Sequence, residues 1–230
     1  MRNLLALLVF AVASTTALAE EAGQDVTFDG LERVEDARVG VAYIDPDADF
    51  SVFRRVAILD PYVAFRANWQ RDQNRNRSRN IRSADMERIK ADVASLFRDV
   101  FTERLEAAGF EIVNVANEDV LILRPAIIDL DITAPDTQRA GRSRTFAAST
   151  GAATLYLQLV DSLSGAAIGR AIDRQAARRA GGTVGWSNRV TNRAEARRVV
   201  VRWADILVEF LATHYYSPDA RSDDTETVND

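Results

Sequence analysis

Asp129 and Asp131 stand two residues apart in a strand-like run, so their side chains share one face. Paired carboxylates can hold a divalent cation or exchange protons in a hydrolytic reaction. No further ligands accompany them at a recognisable spacing, and a solvated sheet face is the simpler account. Asp45, Asp47 and Asp49 also alternate. They resemble the start of a calcium loop, but the central glycine is missing and Val56 occupies the closing position where glutamate is needed. The lone histidine, His214, has no second histidine to work with and falls at the end of a helical pattern, where either charge state is tolerated. Ser162 and Ser164 lie in Asp161-Ser162-Leu163-Ser164-Gly165, which lacks the Gly-x-Ser-x-Gly grammar of a nucleophile and fits a turn. Gly181, Gly182 and Gly185 do not follow the strand–turn–helix order of a dinucleotide site. No catalytic, cofactor or metal site is assigned.

Arginine gives the remaining chemical signal, Lys90 being the single lysine. Arg66, Arg71, Arg75, Arg77, Arg79 and Arg82 crowd one polar stretch in which Asp72 is the only acid and Trp69 the only large aromatic. Asn68, Asn74, Asn76 and Asn80 discourage regular structure there. The bland account is a polar loop between a strand and a helix. The functional account is an arm that orders on an acidic envelope protein, anionic lipid or lipopolysaccharide phosphate, with Trp69 as the buried anchor. A second group comprises Arg170, Arg174, Arg178, Arg179, Arg189, Arg193, Arg197, Arg198 and Arg202, opposed only by Asp173 and Glu195. Many of these arginines would lie over apolar surface or on solvated faces, while their density favours an anionic partner such as an acidic protein surface or a phospholipid head group.

The N-terminus bears on where this chemistry takes place. Residues 1–19 read as a secretory signal peptide: Arg2, an apolar run from Leu4 to Ala13, and Ala17-Leu18-Ala19 before Glu20. The apolar run is shorter than the roughly 20 residues a membrane-spanning helix needs, and no later stretch is long enough. The absence of cysteine excludes disulfides, thiolate sites and the usual lipoprotein anchor. A soluble periplasmic protein is expected. The net charge of −5, made more negative by loss of Arg2, argues against nucleic acid as the partner. Oligomeric state is not legible.

These residues are positioned by a short series of elements. An extended lead-in over 20–37 precedes a single domain over 38–215, and an acidic tail over 216–230 has no apolar anchor. Phe53 to Leu59 reads as a strand closed by Asp60-Pro61. Met86, Ile89, Val93, Leu96, Phe97, Val100, Phe101 and Leu105 form one apolar face of a helix over 84–108, with Ser83 as its cap. Gly109 ends it, and Phe110 folds back towards Leu105. Strands follow over 110–115, 120–133, 152–160 and 166–175. Pro125 suggests a bulge or an edge in the second of them. Ala126, Ile128, Leu130 and Ile132 should then face one way and the two aspartates the other. A second helix runs from about Asn192 to His214, with Val199, Trp203, Ile206, Leu207, Phe210 and Leu211 on its apolar side. The order β-α-β-β-β-β-α predicts an α/β (α+β) domain: an antiparallel-rich sheet with two long helices on one face.

Several blocks in this order resemble the bacterial domain of unknown function 3313. They are Tyr43-Ile44-Asp45-Pro46 with Asp49-Phe50-Ser51 and the Val56-Ala57-Ile58 strand, Asp119 to Leu130, Gly151-Ala152-Ala153 with Leu155-Tyr156-Leu157 and the Asp161–Gly165 turn, and Trp203-Ala204 with its helix. The resemblance covers roughly residues 30–215. It implies an envelope protein without assigned catalytic residues, and many members look like lipoproteins, from which this chain departs by lacking the anchoring cysteine. The expected role is a non-catalytic accessory or binding protein of the cell envelope. The alternative is a carboxylate hydrolase or cation-binding protein using Asp129 and Asp131.

Overall fold

A computed structural model describes residues 25–75, 80–132, 146–147, 151–176, 185–186 and 189–214. Residues 1–24, Arg77, Arg79, Arg178, Arg179, Gly181, Gly182 and the acidic tail lie outside the described residues. The strands are β1 (Glu32–Arg33), β2 (Val41–Ile44), β3 (Arg55–Ile58), β4 (Tyr62–Phe65), β5 (Glu111–Ile112), β6 (Val120–Ile132), β7 (Phe146–Ala147), β8 (Gly151–Asp161), β9 (Ala167–Ala176) and β10 (Gly185–Trp186). The helices are α1 (Trp69–Asn74), α2 (Ser83–Ala107) and α3 (Arg189–His214), with a single 3-10 turn at Phe50–Val52.

Eight strands form one sheet in the order β1-β2-β9-β8-β6-β3-β5, with β4 also paired to β6. Pairing is antiparallel from β1 through β6 and parallel where β3 and β4 meet β6 and where β3 meets β5. The expected mixed fold with an antiparallel-rich sheet is therefore observed. Strands β7 and β10 form a separate antiparallel pair. The sheet also starts earlier than the expected lead-in suggests. β1 pairs with β2, and Leu31 and Thr27 are buried beside it.

Asp60-Pro61 interrupts a strand instead of ending it. β3 pairs with β6 as far as Leu123, and β4 resumes the pairing at Ala126. Pro125 stands opposite this gap, in register with neither β3 nor β4, so the donor it lacks is not required on that side. The irregularity in β6 comes later. Asp129 adopts a left-handed φ of 51°, and the register with β8 shifts between Ile128 and Asp131. This bulge breaks the expected alternation: Ile127 and Leu130 both enter the core, while Ile128 belongs to the opposite face.

Helix α2 forms where its periodicity places it. Leu96, Phe97, Val100, Phe101 and Leu105 are buried against the sheet, each fully buried side chain contributing about 1.5–3 kcal/mol. Its N-cap is Arg82, not Ser83, and the Asp85 carboxylate accepts from the Arg82 N–H at 3.0 Å. Its end follows the expected logic. Gly109 has φ 92°, its N–H donates to Glu106, and the Phe110 N–H donates to Leu105. Helix α3 buries Val200, Trp203, Ala204, Leu207 and Leu211 in the same core as Leu121, Leu123, Leu155 and Leu157, so both long helices cover one sheet face. No helix among the described residues is long and apolar enough to cross a membrane.

Candidate ligand cleft between the long helices

The expected candidates are separated by the fold. Asp129 faces Arg174 at 3.9 Å, while Asp131 pairs with Arg66 at 3.0 Å. Each carboxylate thus has its own arginine partner, and the bulge between them sends the two towards different neighbours. Among the described residues no three acids or histidines gather closely enough to hold a metal ion. Asp161 and Ser164 serve the turn: the Asp161 carboxylate accepts from the Leu163 and Ser164 N–H groups, the Ser164 hydroxyl accepts from the Ala166 N–H, and Gly165 has φ 70°, while the Ser162 hydroxyl bonds the Asn117 backbone.

Two members of the arginine segment, Arg66 and Trp69, make internal contacts. Trp69 is only 1% exposed. Its ring stacks on Phe65 with centroids 4.0 Å apart, and its Nε1–H donates to the Ile132 carbonyl at 2.8 Å. Expected as the buried anchor of a partner-binding arm, Trp69 fastens its own segment to the end of β6. The neighbourhood expected to lack regular structure contains α1. The Asn74 side chain bonds both backbone groups of Ile81, closing the turn into α2. Arg66 donates to Asp72 at 2.8 Å, which holds the Asp72 carboxyl below its ordinary range. Arg71, Arg75 and Arg82 are exposed. In the second group Arg170 is buried against Asp29, Arg174 donates to Thr154, and Arg197 bridges to Glu103 on α2 at 2.6 Å.

A site that the sequence did not single out lies between the two long helices and the sheet. It is an apolar cleft of about 180 Å³, lined by Ile89, Val93 and Leu96 of α2, Ile127, Leu130 and Ile132 of β6, and Val199, Val200 and Trp203 of α3. Gly151, Ala152, Ala153 and Ala196 also line it, and none carries a side chain beyond Cβ. Those truncated positions opposite bulky neighbours leave the space open. Asp92 and Arg193, both exposed, stand at its mouth. Trp203 also borders a second apolar cavity of about 250 Å³ between α3, β2 and β9.

Two acids are buried at the contact of α3 with the sheet, Asp173 on β9 and Glu195 on α3 itself, and their surroundings differ. Asp173 is buried and accepts from the Trp203 indole at 2.7 Å, the Gln175 amide at 2.7 Å and the Gly40 N–H at 3.0 Å. This network holds the Trp203 ring between the two cavities. Glu195 is 7% exposed and lines the first cleft, yet its buried Oε2 has no hydrogen-bond partner. These are the two acids that interrupt the second arginine group. The available sequence signal was spacing, since Glu195, Val199 and Trp203 recur at four-residue steps on the buried side of a helix.

The model of the family described as "Protein of unknown function (DUF3313)" matches residues 19–207. The chain belongs to the DUF3313 family. The expected membership is thereby shown, and no activity comes with it. No curated protein matches the chain by sequence. Among solved structures, this DUF3313 chain is similar to the PelC dodecamer from Paraburkholderia phytofirmans at 13% identity, covering 70% of this chain and 91% of that one, with TM-score 0.37. A minor lipoprotein from Acinetobacter baumannii is similar at 10% identity, 70% and 95% coverage, and TM-score 0.34. A neuraminyllactose-binding hemagglutinin homolog from Helicobacter pylori is similar at 14% identity, 70% and 87% coverage, and TM-score 0.34. None of these likenesses transfers a function to this family member.

Proposed function

We propose that this protein is an exported, non-catalytic binding protein of the bacterial cell envelope, and that the cleft between α2 and α3 is its binding site. The observation that carries the reading is the cleft itself. Protein interiors are packed to the density of organic crystals, and voids larger than a water molecule are few. An apolar space of about 180 Å³, with the exposed Asp92 and Arg193 among its lining residues, is a larger departure. An engineered apolar cavity of about 150 Å³ admits benzene, so this one has room for a single ring or a short aliphatic chain. Among the described residues, the ionisable groups lining it are Asp92, Arg193 and Glu195. One interior carboxylate with a pair of opposite charges at the mouth suits retention of a ligand better than its conversion.

Toluene tests the binding half of this reading. Titrated into the mature protein, it should shift methyl resonances of Ile89, Val93, Leu130 and Val199, and Ala196→Phe, which fills the space, should abolish those shifts. Shifts scattered over the surface, or unaffected by Ala196→Phe, would remove the cleft as a binding site. Export rests on the pattern of residues 1–19. Intact-mass measurement on periplasmic protein should find Glu20 as the first residue, and recovery of the full-length chain would overturn that half.

A further inference from the structure

We infer that the cleft takes a small organic amine, with an apolar body of about one ring and an ammonium group that pairs with Glu195. The inference rests on the cleft being the binding site and adds the chemistry of its occupant. Glu195 is over nine-tenths buried, and no protein group donates to its Oε2. A buried acceptor left unpaired carries its full desolvation cost, and that cost rises when the group is charged. The fold demonstrates the alternative on strand β9: Asp173, equally buried, is supplied with three donors. Glu195 lacks such donors, so a ligand that brings one relieves a cost the protein otherwise retains.

Charge and geometry narrow the donor to a cation. Of the described residues lining the cleft Arg193 is the one base; it is exposed, whereas Glu195 is buried and its Oε2 has no donor. An anionic ligand would meet Glu195 in an apolar setting where repulsion is poorly screened. A hard metal cation needs several oxygen ligands, and no such cluster exists among the described residues. An ammonium forms a charge-assisted bond with one carboxylate, while its carbon body fills the space lined by Ile89, Leu130 and Val199.

Three probes that share one ring separate the possibilities: toluene, benzyl alcohol and benzylamine, each titrated into the mature protein and followed at the cleft methyl groups. Benzylamine should bind about tenfold more tightly than benzyl alcohol, the gain expected of one charge-assisted contact. In Glu195→Gln that preference should vanish while toluene binding is unchanged. Glu195→Met provides a second charge-free variant that keeps the side chain's length and suits an apolar surrounding. Equal affinities of wild type for benzylamine and benzyl alcohol would overturn the inference, as would an amine preference that survives in either variant. Absence of toluene from the cleft would instead defeat the prior reading of the site.

Discussion

Phe97→Ala is expected to lower the unfolding free energy by about 3–5 kcal/mol, the range for deleting a buried aromatic ring. Phe97 has no exposed surface, and its ring stacks on Phe101 one turn later, with centroids 3.9 Å apart at 19°. Truncation removes both the buried area and the ring–ring contact, which is itself worth about 0.5–1.5 kcal/mol. The surroundings cannot easily close over the gap. Helix α2 is tied at its start through Asp85 and at its end through the Gly109–Phe110 turn. A domain's whole stability is about 5–15 kcal/mol, so the variant would retain a small margin. Urea denaturation should show a lower midpoint with an unchanged slope. Phe97→Leu, which keeps most of the volume, should lose less than about 1.5 kcal/mol. An unchanged midpoint in Phe97→Ala would mean that α2 buries a different face.

That helix was legible because its evidence is local. Eight apolar residues at three- and four-residue steps define its buried side, and a glycine in the left-handed region ends it. The Asp161–Gly165 turn was legible for the same reason: its hydrogen bonds lie within five residues of chain. What escaped was set by distant neighbours. Tyr62–Phe65 follows a proline and spans four residues, so nothing local marks it as a strand, and its partner in β6 lies more than 60 residues on. The bulge at Asp129 requires a left-handed conformation that aspartate tolerates but does not announce.

The functional residues divide along the same line. Arginine density drew notice to 66–82, yet density reports composition, and the fold uses Arg66 for Asp72 and Asp131 and Trp69 for the end of β6. Glu195 looked like one acid among arginines on a helix surface. Its burial depends on how α3 is rotated over the sheet, and that rotation is fixed by contacts such as Trp203 with Asp173. The cleft itself exists because small residues on β8 and α3 meet across the helix–sheet interface. No single segment encodes that meeting.

The longest-range of these dependencies supplies the second large effect. Asp29→Ala is expected to destabilise the protein by about 3 kcal/mol, the lower end of the range for breaking a buried ion pair. Arg170 of β9 is only 2% exposed at its side chain and donates to Asp29 at 2.6 Å, although 141 residues separate them. The Thr27 hydroxyl also donates to Asp29, at 2.6 Å, and its oxygen accepts the Leu31 N–H, so the carboxylate is built into the turn that brings β1 to the sheet. Asp29 itself is about one-quarter exposed, which places the loss at the lower end. Burial alone would raise the Asp29 carboxyl, but the Thr27 hydroxyl and the Arg170 guanidinium outweigh it and hold it below the ordinary carboxylate value. The sign of the pH dependence follows. A carboxyl lowered in the folded state contributes fully above its unfolded value of about 3.9, and the contribution is lost as pH falls through the folded value. The stability gap between wild type and Asp29→Ala should therefore be constant from pH 7 to about pH 5 and narrow below pH 4. Arg170→Met in the Asp29→Ala background should cost less than Arg170→Met alone, because the contact with Asp29 is already gone. A gap that widened on acidification, or a double variant less stable than Asp29→Ala alone by the full cost of a second independent truncation, would show that the pair is not the link between the N-terminal turn and β9.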